Sequence, residues 1–172
     1  PSDNMRPGTT SSFGLSYIPK KFSFLETPLK ESGEQYIPFI KQTSFDVGVC
    51  DESQTNNSWS LQAQLVWDSA QEIPTSSIVL TNQGIVKKNI NDGNAPFNPC
   101  TDLVDCGSEV QGTISPEIKT DSPTVIMKAT QAIHTSVYNY DLGNVSLKIT
   151  DAKVAQPGNY TGHVEWNLVN AP

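Results

Sequence analysis

Ser58-Trp59-Ser60-Leu61-Gln62-Ala63-Gln64-Leu65-Val66-Trp67 decides the fold. Trp59, Leu61, Ala63, Leu65 and Trp67 fall on one side of an extended chain, and Ser58, Ser60, Gln62 and Gln64 on the other. Successive side chains of a strand point to opposite faces, so this pattern describes a β-strand with one buried and one wet face. A second stretch repeats the design. Tyr160, Gly162, Val164, Trp166 and Leu168 share one face, and Thr161, His163, Glu165 and Asn167 share the other.

Outward from these two segments, shorter strands are expected at Phe13–Ile18, Lys21–Leu25, Tyr36–Ile40, Phe45–Cys50, Ile78–Leu80, Thr124–Lys128 and Val145–Thr150. Ser32-Gly33, Asp92-Gly93-Asn94, Leu142-Gly143-Asn144 and Gln156-Pro157-Gly158-Asn159 supply the turns. No window keeps a helical period for three turns, and 12 prolines interrupt the chain. About nine short strands predict an all-β domain, a β-sandwich or a Greek-key-like pair of sheets. Asn89 to Gly112 reads as one long polar loop leaving the scaffold.

The chain has 172 residues, enough for one domain with a real core. The expected division is a flexible N-terminal segment over 1–12, with the polar look of a trimmed terminus, and a single β domain over 13–172. Charged residues make up 17 %, and neutral polar side chains fill the gap, as in extracellular β-proteins. Net charge is −7, and the 11 basic residues are scattered. A nucleic-acid or anionic-lipid partner needs a basic stripe, so both are disfavoured. No apolar run approaches the ~20 residues of a membrane-spanning helix, so direct membrane insertion is not expected.

Of the three cysteines, Cys100 and Cys106 flank a short loop that a disulfide could close, leaving Cys50 over. Neither His134 nor His163 stands at zinc spacing from them, and no metal or other cofactor is expected. No Gly-x-Ser-x-Gly elbow, phosphate-binding loop or Cys–His pairing motif appears, so no enzyme activity is expected.

Both alternating strands contain Trp-x-Leu: Trp59-Ser60-Leu61 and Trp166-Asn167-Leu168. The second closes the run Pro157-Gly158-Asn159-Tyr160-Thr161 to Leu168, with Tyr160 six residues ahead of Trp166. With Leu15-Ser16-Tyr17-Ile18-Pro19 and Phe22-Ser23-Phe24 upstream, the chain from Phe13 to Pro172 resembles the WxL family of Gram-positive cell-surface proteins. The cysteines and the 89–112 loop depart from the family pattern.

The resemblance implies an extracellular module attached non-covalently to the cell wall, with peptidoglycan as the ligand. It also implies a membrane-anchored WxL-interacting protein and other surface proteins as partners. The alternative function is therefore an assembly subunit, held by that partner and touching the wall only indirectly. Trp59, Leu61, Tyr160, Trp166 and Leu168 are the motif residues, either an aromatic platform for sugar or the structural core. An alternating apolar face normally points inward, which favours the core. Ser60, Gln62, Gln64, His163, Glu165 and Asn167 then offer the ligand surface, with Phe97, Asn98 and Asp102 of the loop as further candidates.

Overall fold

The computed structural model describes residues 12–68 and 72–170. The expected N-terminal segment 1–12, apart from Ser12, lies outside them. Over the described residues the fold is all-β, but richer than expected, with thirteen strands in three antiparallel sheets rather than about nine in two.

The five-stranded sheet has the order β1 (Phe13–Tyr17), β3 (Asp46–Asp51), β11 (Ser136–Asp141), β6 (Val86–Asn89) and β7 (Leu103–Asp105). A four-stranded sheet runs β13 (Gly162–Asn170), β4 (Trp59–Trp67), β10 (Thr124–Ala129) and β8 (Val110–Gly112). The other runs β2 (Gln35–Pro38), β12 (Asn144–Ile149), β5 (Ser76–Thr81) and β9 (Glu117–Lys119).

The main core draws on all three sheets: Val47, Val49, Tyr138 and Tyr140 from the first, Trp59, Leu61, Ala63 and Leu65 from the second, and Ile78, Leu80 and Val145 from the third. A smaller core, around Ile37, Leu147 and Ile149, continues along the third sheet. Phe39 and Trp67 pack against both, joining them into one apolar body.

The five-stranded sheet buries polar groups as well. Tyr17 lies over Gly48, where a Cβ would sit 2.3 Å from the Tyr17 ring. Glycine therefore lets the ring cross the sheet. The Tyr17 hydroxyl donates to Asn139 Oδ1 at 2.5 Å and accepts from Asn89 Nδ2 at 3.1 Å, while Asn139 Nδ2 donates to Asp46 Oδ1 at 2.9 Å. Buried polar groups satisfied in this way fix strand register at little net cost.

Two expectations are corrected here. Lys21–Leu25 forms no strand. It is held by Phe22 on Phe39 and Phe45, by Phe24 on Phe39, and by one backbone bond from Ile40 to Ser23. Nor is 89–112 one structureless loop. A single helical turn, α1 (Pro99–Asp102), leads into β7, which pairs with β6, and β8 then pairs with β10.

Candidate binding surface

The two Trp-x-Leu motifs lie side by side. β13 pairs antiparallel with β4 along its whole length, setting Leu168 opposite Leu61, Trp166 opposite Ala63 and Asn170 opposite Trp59. The Trp and Leu side chains of both motifs therefore share the inward face of one sheet, with Trp166 opposite Ala63 and so set along the ladder from Trp59.

Their environments differ. Trp59 is 1 % exposed and Leu61 is fully buried. The Trp59 indole donates from Nε1 to Asp51 Oδ2 at 2.9 Å, and the Asp51 carboxylate also accepts from Ser53. His134 is fully buried beside them. Its Nδ1 stands 3.2 Å from Asp51 Oδ2 without making a hydrogen bond, and its Nε2 lies 2.9 Å from the Glu109 carbonyl. The Trp59 indole thus ends on buried polar groups inside the core. Asp51 and His134 were not flagged by the sequence, because neither adjoins the motif and no spacing links them to it.

Trp166 and Leu168 are half-buried, as is Val164, because β13 ends the sheet and only β4 flanks it. Tyr160 is half-buried too. Its ring meets Trp67 edge-on at 6.0 Å, and its hydroxyl donates to the Gln156 carbonyl.

Behind the motifs the same sheet presents an open polar face. The ladder aligns Val169, Ser60, Lys128 and Gln111 in one row, and Asn167, Gln62 and Val125 in the next, with Ser60, expected on the ligand surface, buried among its neighbours. Glu165 stands opposite Gln64, and His163 opposite Val66. Gln111, Lys128, His163, Glu165 and Asn167 are exposed, and Gln62 and Gln64 are half-exposed. His163 Nδ1 lies 3.2 Å from Asp68 Oδ1, and its Nε2 lies 3.5 Å from Glu165 Oε1. Gln64 donates to the Thr120 carbonyl at 2.8 Å. Lys128 and Gln111 reach this face from β10 and β8, strands that do not carry the motif.

The loop candidates belong to a different region and mostly serve the loop itself. Asn98 caps α1, its side chain accepting from Cys100 N at 3.0 Å. Asp102 Oδ2 accepts from Asn98 N at 2.7 Å and from Asn91 Nδ2 at 3.0 Å. The Asn98 amide first, then the Asn91 side chain, hold the Asp102 carboxyl below its usual range. Phe97 is half-buried. Among the described residues no group of His, Cys, Asp and Glu side chains could hold a metal ion.

The Cys100–Cys106 disulfide is corrected: all three cysteines are free. Cys100 is exposed on α1, while β7, extended and paired with β6, carries Cys106 away from it into the core. There the Cys106 thiol donates to the Val86 carbonyl at 3.1 Å, and burial pushes it up from its ordinary value.

These features define an all-β module: an aromatic core beneath an open sheet face whose exposed groups donate and accept hydrogen bonds. The chain belongs to the WxL domain family, described as surface cell wall-binding, whose sequence model matches residues 1–172. It is thus a cell-surface domain of a binding family. No curated protein and no solved structure matches the chain. No helix among the described residues is long and apolar enough to cross a membrane.

Proposed function

We propose that this domain attaches non-covalently to peptidoglycan, making its contacts through the open polar face of β13, β4 and β10. The observation that carries the reading is the clustering of Gln62, Gln64, Asn167, Gln111 and Lys128 on one exposed face directly behind the Trp-x-Leu motifs. Primary amides donate and accept at once, which suits a polymer of sugar hydroxyls and peptide amides. At a net charge of −7, the long-range field opposes anionic wall polymers. Short-range hydrogen bonds to a glycan or peptide therefore have to supply the affinity. In this reading the motifs act indirectly, holding the face in shape.

The test is co-sedimentation of the folded domain with purified sacculi, before and after removal of teichoic acid. The expected result is sedimentation that survives stripping and falls at least tenfold in a Gln62→Ala/Asn167→Ala/Lys128→Ala variant with unchanged circular dichroism. A domain that stays in the supernatant with protein-free sacculi would sink direct binding. The function would then be that of an assembly subunit, held at the surface by a membrane-anchored WxL-interacting partner.

A further inference from the structure

Among the described residues six strands end the three sheets, and five of them are poor templates for another chain. β7, β8 and β9 have three residues each, β2 has four and ends in Pro38, and β1 shifts register between Leu15 and Tyr17. Short strands, prolines and bulges are the usual means of blunting a sheet edge. β13 carries none of them. It runs nine residues, contains neither proline nor lysine, and keeps one unbroken register with β4 from Gly162 to Asn170. None of its residues is buried.

Its backbone shows which groups are free to pair. Asp68 N donates to Thr161 O at 2.9 Å, which extends the β4–β13 ladder and fixes its phase. In an antiparallel pair alternate residues face the neighbour, so His163, Glu165, Asn167 and Val169 bond to β4. Gly162, Val164, Trp166, Leu168 and Asn170 then aim their N–H and C=O groups at the open side. Three of these five carry the half-buried apolar side chains of the inward face.

We propose that this edge pairs with the same edge of a second copy of the chain, antiparallel about Trp166, to give a continuous eight-stranded sheet. The choice of occupant rests on the self-complementarity of the strand. Centred on Trp166, all nine residues find a partner. On the inner face Val164 meets Leu168 of the second copy, and Trp166 meets its own equivalent. On the outer face Glu165 meets Asn167 and His163 meets Val169, with no like charges opposed. Cross-strand aromatic and aliphatic pairs of this kind stabilise antiparallel ladders, and each copy covers the part of Trp166 and Leu168 that the monomer leaves exposed. Other registers are worse. Centring on Glu165 sets two carboxylates face to face, and centring on Val164 leaves residues 167–170 unpaired.

The decisive experiment is register-specific crosslinking of the full chain in a Cys100→Ser background, which removes the exposed thiol. Glu165 and Asn167 of the second copy would form a non-hydrogen-bonded pair with Cα atoms ~4.5 Å apart, within disulfide reach. An equimolar mixture of Glu165→Cys and Asn167→Cys chains, oxidised with glutathione disulfide, should crosslink at least tenfold more than either variant alone. Sedimentation equilibrium of the unmodified chain should show a reversible dimer. Leu168→Pro removes one outward N–H from each copy, and so should weaken that dimer roughly tenfold or more with circular dichroism unchanged. A chain that stays monomeric at every concentration overturns the proposal, as does equal crosslinking of mixed and single variants. So does a monomer whose β13 amides shift only when a foreign extended peptide is added. None of these readouts involves the wall, so their failure is separable from failure of the wall-binding reading.

Discussion

At the scale of single residues, the two motif tryptophans are the same side chain on the same sheet face with different duties. Trp59 is enclosed, and its indole N–H satisfies a carboxylate that is itself fully buried. Trp166 faces the same core from the last strand of the sheet and keeps part of its ring in solvent. Trp59→Ala should therefore cost ~3–5 kcal/mol, through lost packing and a stranded Asp51, and Trp166→Ala about half that. Urea unfolding followed by circular dichroism measures both, and equal losses would contradict the burial difference. Trp59→Phe separates the two contributions, since it keeps most of the ring and removes the N–H, for an expected loss of ~1–3 kcal/mol. Wall binding lost in Trp59 variants would accordingly report unfolding unless the fold is checked alongside. The thiols give a second residue-scale test. Cys100 is exposed and Cys50 and Cys106 are buried, so a thiol reagent should titrate one group in the native protein and three after denaturation. No reaction in the native state, followed by three groups only after reduction and unfolding, would restore a disulfide.

At the scale of elements, the segment between β6 and β7 shows how a polar stretch without periodicity becomes ordered. Asn89, Asn91 and Asp92 each accept, through the side chain, the backbone N–H two residues on, at Asn91, Gly93 and Asn94. Asp102 closes the far end on Asn98 and Asn91. Such turns are made by side chains standing in for backbone partners. Because the Asp102 carboxyl is depressed by those bonds, its contribution is present above the unfolded value of 3.8 and is lost as pH falls through the lower folded value. Hydrogen exchange at the Asn98 amide should accelerate over that acid range and should already be fast at neutral pH in Asp102→Asn. Unchanged protection in the variant would remove Asp102 from the loop's support. The same physics sets what could be read in advance. β4 and β13 were legible because each has one wet face and therefore alternates. β11, the central strand of its sheet, was not, because Ser136 to Tyr140 are all buried and Asn139 stands among them as a satisfied polar group. β7, β8 and β9 are too short at three residues to show any period. Lys21–Leu25 misled because its phenylalanines alternate for packing while its backbone joins no ladder. The motif residues were identifiable as core by the same alternation, but Lys128 and Gln111 join the polar face only through strand pairing, which no single segment encodes.

At the scale of the whole molecule, the sheets are tied together by hydroxyls as well as by apolar packing. Tyr138 and Tyr140 project from β11 into the main core. The Tyr138 hydroxyl donates to Glu109 Oε1 at 2.7 Å, and the Tyr140 hydroxyl donates to the Thr113 carbonyl at 2.7 Å while accepting from Asn82 Nδ2 at 2.8 Å. Glu109 and Thr113 flank β8, so these two bonds fasten the five-stranded sheet to the sheet that carries the motifs. Ionising either phenol would place a charge in the core, and burial accordingly pushes Tyr140 up to about 12 and raises Tyr138 as well, with Glu109 adding to the latter. A folded value above the unfolded one of 10.0 means that the stabilisation is complete below that pH and is lost as pH rises through about 12. The domain should therefore hold its stability up to about pH 10 and then lose it steeply, with the tyrosinate absorbance of these two residues appearing only on unfolding. Tyr140→Phe should lower stability at neutral pH by ~1 kcal/mol and flatten the alkaline decline, since one of the linked protons is gone. An alkaline decline of equal slope in the variant would show that the Tyr140 phenol does not couple the sheets, leaving Tyr138 on Glu109 and apolar packing to hold the polar face against its core.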